Sequence, residues 1–350
     1  MKKSQKKLTN YLHCISLCLY IVCMNYSKTH TQTQKNKGDN MSKREFNQTR
    51  GFGIEIEFLA NRGKGQVAEM INNLNGIDCV NEDYNHNTRS YWKIVGDSSL
   101  RRESGYQYTM ELVSPILYGL DGLGQLFQIL ELLNGTEENG LRTKVNKSCG
   151  IHVHHDLTNW RDDNADAFAN NMNNLISLVA KYEHGIFKLL PASRQSGYCA
   201  PVRNGFQKYN CFSDSCYNDR IKNLKTAKRQ GTLGNIQRGR YYGLNFQNLF
   251  TRGSVEFRYH QGSTNYNKLS NWIVFTQAFV ETAELKKSIS YTESMTRIST
   301  ASALRRLRCD LGLTKANNDI FLRACDTEIK RRYHVYKNVL SSASSIQQAQ

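Results

Sequence analysis

Carboxylates and imidazoles recur in this chain on short segments where every second residue is apolar. In Gly51-Phe-Gly-Ile-Glu-Ile-Glu-Phe58, Gly53, Glu55 and Glu57 share one parity and Ile54, Ile56 and Phe58 the other. A strand turns successive side chains to opposite faces, so the two carboxylates stand on one side, roughly 7 Å apart at Cα, above an apolar underside. Three later segments repeat the arrangement. Glu111 lies between Met110 and Leu112; His152 and His154 alternate with Ile151 and Val153; Glu256, Arg258 and His260 alternate with Val255, Phe257 and Tyr259. One such segment alone reads as a solvated sheet face. Four of them, together with Asp97, gather Glu55, Glu57, Glu111 and Glu256 into a like-charge cluster that needs a counter-charge.

The residue types say which counter-charge. Hard oxygen donors in excess, with one imidazole as a further ligand, favour Mg2+ or Mn2+. Zinc would sooner take three close His, Cys or carboxylate ligands, and His152 and His154 do not form a His-Glu-x-x-His helix. Arg258 shares the face of Glu256, and Arg194, Arg203, Arg238 and Arg240 lie in or beside one long basic segment. Divalent ions with forked guanidinium groups make a phosphate site. No Gly-x-x-x-x-Gly-Lys-Ser/Thr loop is present, so a nucleotide would be held by ions and arginines instead.

Elements must carry these side chains to one surface. Gly65–Leu74 reads as a helix with Val67, Met70, Ile71 and Leu74 on one side. Ile77–Tyr84 and Tyr91–Val95 read as strands around a polar turn, followed by the Asp97-Ser-Ser-Leu100 turn. Leu120–Leu133 is apolar at helical spacing and ends at Gly135. Asn164–Leu190 is a long helix closed by Pro191, with Phe168, Met172, Leu175, Leu178, Val179, Tyr182 and Ile186 as its core stripe. The stretch 192–240 is basic, aromatic and without clear periodicity, the character of a functional lid or a disordered loop. Arg240–Gln247 and Ser254–His260 read as an antiparallel pair, Leu269–Leu285 as an amphipathic helix, and 297–311 and 319–340 as two basic helices. The expected fold is α+β: a mainly antiparallel curved sheet with a charged concave face and helices on its apolar face.

With 350 residues, 39% of them apolar, the chain can bury a substantial core. Its net charge of +17 is concentrated: residues 1–46 and 203–240 carry +7 each and 301–337 carry +5, leaving −2 for everything else. The basic surplus, which would suit nucleic acid, is therefore peripheral to the acidic strands. We divide the chain into a basic leader (1–46), a domain holding the acidic strands (47–290) with its long basic loop (192–240), and basic C-terminal helices and tail (291–350). In the leader, lysines precede a mainly apolar run from Tyr11 to Met24 that lacks a small-x-small cleavage site and is short for a membrane span. Three readings stand for it: translation from Met41, a disordered leader or anchor, or secretion. A cytoplasmic location is the expectation. The ten cysteines show no Cys-x-x-Cys spacing, so reduced thiols are the default. Cys199, Cys211 and Cys216 are close enough in sequence for zinc, without an evident fourth ligand.

The ordered motifs resemble a known family. Glu-x-Glu, then Gly-x-His-x-His, then Glu-x-Arg resembles the carboxylate–amine ligase superfamily that includes glutamine synthetase and glutamate–cysteine ligase. More closely, Gly53–Phe58, Asp97–Leu100, Glu111-Leu-Val-Ser-Pro115, Cys149-Gly-Ile-His-Val-His154, Arg194 with Tyr198-Cys199, Arg240–Asn245 and Val255-Glu-Phe-Arg258 resemble the amidoligase family, over about residues 50–285. The resemblance implies a glutamine-synthetase-like catalytic fold and ATP-dependent amide formation through an acyl phosphate. It implies Glu55, Glu57, Glu111, His152 and Glu256 as ligands of Mg2+ or Mn2+. Arg258, with Arg240 as a second candidate, would stabilise the transferring phosphoryl group. His154 would touch phosphate or orient a ligand, Arg194 would bind the nucleotide, and Asp97 or Glu111 would receive the amine. Carboxylate and amine substrates, small molecules or peptides, are the implied partners, and homo-oligomers are common in the superfamily. Two alternatives stand beside it: a metal-dependent hydrolase or nuclease using the same cluster, and a non-enzymatic nucleic-acid-binding protein.

Overall fold

The alternating segments become neighbours in one sheet. The computed structural model of the chain describes residues 45–135, 140–195, 197–205, 216–234, 236–291, 298–313 and 319–347. The apolar run at 11–24 and Cys211 fall outside those residues. The strands are β1 (Phe52–Ala60), β2 (Cys79–Asn81), β3 (Trp92–Gly96), β4 (Tyr108–Val113), β5 (Thr143–Lys144), β6 (Gly150–Asp156), β7 (Leu244–Asn245) and β8 (Ser254–Gln261). Their order is β2-β3-β4-β1-β6-β8-β7, with β5 beside β1. The four strands that carry the ionisable side chains, β4, β1, β6 and β8, are thus contiguous. All described pairings are antiparallel except β2 with β3, and the α+β expectation holds.

Register does the positioning. Glu57 stands opposite Glu111, Glu55 opposite His152, and His154 opposite Glu256. The other parity pairs Phe58 with Met110, Ile56 with Leu112 and Ile54 with Val153, and all six side chains are buried. A slip of one residue would exchange the two faces, so the apolar set fixes where the charges go.

Ten helices are described: α1 (Lys64–Asn72), α2 (Gly119–Leu133), α3 (Thr158–Asp162), α4 (Ala165–Phe187), α5 (Val202–Gly205), α6 (Tyr217–Gln230), α7 (Leu249–Arg252), α8 (Tyr266–Leu285), α9 (Thr300–Asp310) and α10 (Ile320–Gln347). The central one, α4, starts where the Asn164 side chain accepts from the N–H groups of Asp166 and Ala167, at 3.0 and 2.9 Å. Its expected stripe is buried from Phe168 to Ile186, each large side chain contributing roughly 1.5–3 kcal/mol. Burial reaches further round the helix than the stripe, because α6, α8 and α9 all pack against it. No described helix is long and apolar enough to cross a membrane.

Several expectations are corrected. Of the two strands read around the 85–90 turn, the first is shorter than read: β2 is three residues long, and it runs parallel to β3. The supposedly irregular 192–240 stretch contains α6, which ends at Gly231 in the left-handed conformation (φ 64°). Only Leu244 and Asn245 of the Arg240–Gln247 segment join the sheet as β7. Cys216 is disulfide-bonded, so it is not a reduced thiol available to zinc.

The basic C-terminal segment is engaged in packing. Arg308 pairs with Asp326, joining α9 to α10, and Arg332 pairs with Glu328 at 2.9 Å. Buried Arg332 also contacts His260 Nε2 at 2.7 Å, so α10 braces the end of β8.

Buried Glu183 of α4 braces the middle of β8 and supplies a stability test. It accepts from the Tyr259 hydroxyl at 2.6 Å and the Val202 N–H at 2.7 Å. Burial outweighs these bonds and pushes its pKa up to about 7. Folding therefore favours the protonated carboxyl. That stability is complete below the unfolded pKa of about 4.3 and is lost as pH rises through about 7, on the order of 3 kcal/mol in all. Urea midpoints should fall between pH 5 and pH 8 in the wild type, and this fall should shrink in Glu183→Gln. Equal pH slopes in the two proteins would contradict the assignment.

Candidate metal and phosphate site

The charged face of the sheet is the floor of a cavity of about 1490 Å³. At its centre Glu55 holds both imidazoles: one oxygen lies 2.7 Å from His152 Nδ1, the other 3.1 Å from His154 Nε2. His152 Nδ1 is also 3.5 Å from Glu256, and its Nε2 is 3.6 Å from Glu57. Glu256 accepts from Asn245 Nδ2 at 2.6 Å and pairs with Arg258 Nη1. Glu57 accepts the Gly150 N–H at 2.5 Å. The last contact needs a backbone close to the carboxylate. A Cβ on Gly150 would lie 3.1 Å from the Arg194 guanidinium and 3.3 Å from His152 Nε2, so glycine keeps this corner open.

Electrostatics divide the cluster. Burial works against the charged form of Glu55, yet the charge and hydrogen bonds of His154 and His152 hold its carboxyl well below the usual range. Glu256 is likewise held low, because Arg258, His154 and His152 outweigh burial. In Glu111, burial and then the Glu55 and Glu57 carboxylates push the pKa well above the ordinary value. Burial raises Glu57 as well. The face therefore holds more carboxylate than its cationic groups neutralise, and Glu57 directly across the strands from Glu111 is a like-charge pair that sheets avoid.

These residues fit a divalent cation. Two groups each offer ligand atoms within 4.8 Å of one another: Glu55, Glu111 and His152, and Glu55, His154 and Glu256. Glu55 belongs to both. The donors are mostly carboxylate oxygens with one imidazole per group, the composition suited to Mg2+ or Mn2+. His154, read from sequence as a phosphate contact, thus sits among the possible ligands, while Glu57 lies outside both groups and is committed to Gly150.

Arginines occupy the wall beside Glu256. Arg258 lines the cavity with its Nε buried and, among the described residues, without a hydrogen-bond partner, and its guanidinium lies 6.0 Å from the Tyr241 ring centroid. Arg240 stacks on the same ring at 5.3 Å and reaches His86 Nε2 at 3.4 Å. Arg194 also lines the cavity, but its Nε and Nη2 donate to the carbonyls of Tyr259 and Arg258 at 3.2 and 2.8 Å. Two of its donors thus brace β8. Arg203 and Arg238 do not line the cavity. Asp97 does, though one of its oxygens accepts from Ser99 N–H at 2.8 Å and closes its own turn.

Two histidines leave the face. His155 has the apolar parity and bonds Thr276 of α8 at 2.8 Å. His260 shares the parity of Glu256 and Arg258, yet it stacks on Trp272 of α8. The cause is a register break: Ile151 faces His260 and Val153 faces Phe257, so β8 has one residue more than β6 over this interval. The Arg194 bonds fall on the carbonyls of this bulge.

Sequence reasoning missed the second wall. The 82–91 loop places Tyr84 and His86 on the cavity, anchored by buried Lys93. Its amine donates to the Asn85 carbonyl and Oδ1 at 3.0 and 2.9 Å and to the Asn87 carbonyl at 2.7 Å. A lysine flanked by Trp92 and Ile94 in a strand was the available signal, being a charge at a position otherwise apolar on both sides.

The sequence profile of a family described as "Putative amidoligase enzyme" matches residues 48–280. No curated protein matches the chain. Among solved structures, a bifunctional glutathione synthetase from Pasteurella multocida is similar with a TM-score of 0.40 and 13% identity, over 83% of this chain and 47% of that one. The chain thus spans about half the length of that synthetase. A novel glutamine synthase homolog is similar with a TM-score of 0.40 and 11% identity, over 82% of this chain and 67% of that one. Since the profile match runs from just before β1 into α8, and so takes in every strand of the sheet, the chain belongs to the amidoligase family.

Proposed function

We propose that the protein is an ATP- and Mg2+-dependent ligase that joins a carboxylate to an amine. The observation that carries this is Glu55, shared between two groups of divalent-cation donors, with an incompletely bonded arginine beside them in one cavity. Glu55, Glu111, His152, His154 and Glu256 would hold divalent ions, which neutralise the triphosphate and the carboxylate approaching it. Glu57 positions the start of β6 through Gly150. Arg258, with Arg240 at the rim, offers donors to a phosphoryl group as it moves. In the reaction a carboxylate oxygen attacks the γ-phosphorus and ADP leaves; the amine then attacks the acyl carbon, phosphate leaves, and the amine gives up a proton. Asp97 and Glu111 line the cavity where an ammonium group would find negative charge, and Asp97, outside both donor groups, is left to receive that proton.

The test is a screen of ADP release with ATP and MgCl2 against paired carboxylates and amines. Release that requires both partners, with amide formation seen by mass spectrometry, is the expected result. Cleavage of nucleic acid without nucleotide, and no ADP with any pair, would move the site to the hydrolase alternative.

A further inference from the structure

The far rim of the cavity carries cations that the proposed phosphate chemistry leaves unused. Two loops meet there, the 97–102 turn before β4 and the 146–148 turn before β6. They are tied by backbone: Arg101 N–H donates to Ser148 Oγ at 2.9 Å, and Asn146 Nδ2 donates to the Arg101 carbonyl at 2.8 Å. Leu100 is buried against Leu59 and Cys149, which pins the turn from below. The backbone is thus fixed while Arg101, Arg102 and Lys147 extend exposed side chains along the cavity. Among the described residues none of the three forms an ion pair. Neighbouring cations are engaged: Lys144 pairs with Glu103, and Lys64 donates to the Glu82 carbonyl at 2.8 Å.

Like charges gathered on a rigid rim repel, and among the described residues no acid pairs with them. An anionic ligand is the economical answer. The cavity is also larger than the roughly 300–1,000 Å³ that encloses one small ligand, leaving room for an extended second substrate beside a nucleotide. Asp97 belongs to the same turn and lines the cavity together with Glu57 and Glu111, so a chain lying on the rim leads to the acidic cluster.

We propose that Arg101, Arg102 and Lys147 bind a polyanionic acyl substrate, an acidic peptide with at least two carboxylates besides the one that reacts. This deepens the ligase reading and rests on it for the reaction, though not for the binding. The probes are tetraglutamate and a tetrapeptide of the same length with three glutamines and one glutamate, used with full-length protein, ATP, MgCl2 and hydroxylamine as the amine. Tetraglutamate should have a kcat/KM about tenfold higher, and the preference should collapse toward unity in an Arg101→Ala/Arg102→Ala/Lys147→Ala variant and at high salt. The three side chains are exposed, so the variant should fold. Equal use of the two peptides by the wild type, or a variant whose KM for ATP rises as steeply as that for tetraglutamate, would overturn the assignment. If no hydroxamate or ADP forms with either peptide, turnover gives no preference to compare, and the ligase reading is left to the wider screen of pairs. Anisotropy of labelled peptides then decides the rim: tighter tetraglutamate binding lost in the variant supports it, and equal binding overturns it. Tighter binding of single-stranded oligonucleotide than of tetraglutamate, lost in the same variant, would also overturn it in favour of nucleic acid.

Discussion

Glu55→Gln should lower turnover by about 10³-fold and leave the protein less stable than the wild type in the absence of divalent ions. The first expectation follows from Glu55 being common to both donor groups and bonded to both imidazoles. An amide in its place offers a neutral oxygen and an N–H2 that cannot ligate, and removing one group that acts on developing charge costs about 10²–10³-fold in turnover before the lost cation is considered. The second follows from electrostatics. The charges and hydrogen bonds of His154 and His152 hold the Glu55 carboxyl well below its usual range, so its ionised form contributes stability at neutral pH, and a neutral amide gives up that contribution while relieving some of the repulsion felt by Glu111. Loss of turnover must therefore be separated from loss of stability. Two measurements check this: ADP release, and the thermal shift on adding MnCl2, which should be positive for the wild type and absent in the variant. Glu57→Gln is the comparison. Because Glu57 acts through the Gly150 N–H and an amide oxygen can still accept that bond, its loss should be nearer 10–100-fold. Near-wild-type turnover in Glu55→Gln, or an intact Mn2+ shift, would remove the site as drawn.

What the sequence made legible follows from the range over which each feature is decided. Parity in a strand is local, so Glu55, Glu57, Glu111, His152 and Glu256 could be assigned to one face from their own neighbours, and the sheet brings all five together. The helical stripe of α4 was legible for the same reason. Features set by distant partners were not. The bulge in β8 appears only in its register with β6, and Arg194, 64 residues away, bonds the Arg258 carbonyl there; hence parity alone does not show that His260 turns to α8. Helix α6 was hidden because only Arg220, Leu224 and Ala227 are buried along its fourteen residues, too few to stand out among its lysines. The wall carrying Tyr84 and His86 depends on the Lys93 anchor to Asn85 and Asn87, and the basic rim on a contact between loops 47 residues apart. The same distinction separates Arg194 from Arg258. Both are arginines read from sequence as cofactor-binding, yet one has two donors on carbonyls and the other keeps a buried Nε without a partner among the described residues.

That unsatisfied donor makes Arg258 the second large effect. Arg258→Ala should lower kcat by about 10³-fold with a much smaller change in KM for ATP, the pattern of a contact made chiefly in the transition state. A buried guanidinium N–H without a partner costs stability unless a ligand completes it, and a phosphoryl oxygen in the cavity would do so. The substitution has a structural cost as well, since Arg258 is the charged partner of buried Glu256. Asn245 and His152 remain beside that carboxylate, so the loss should be on the order of 2 kcal/mol, below the usual price of orphaning a buried charge. Chemical rescue separates the two effects. Guanidinium ion at low millimolar concentration should restore part of the turnover of Arg258→Ala without raising its thermal midpoint, and Arg258→Lys, which keeps the charge but not the fork, should fall between alanine and wild type. A loss of turnover that merely follows the folded fraction, with no rescue, would leave Arg258 as a brace for Glu256. Transfer of the phosphoryl group would then have to rely on Arg240 alone, which is exposed and already stacked on Tyr241.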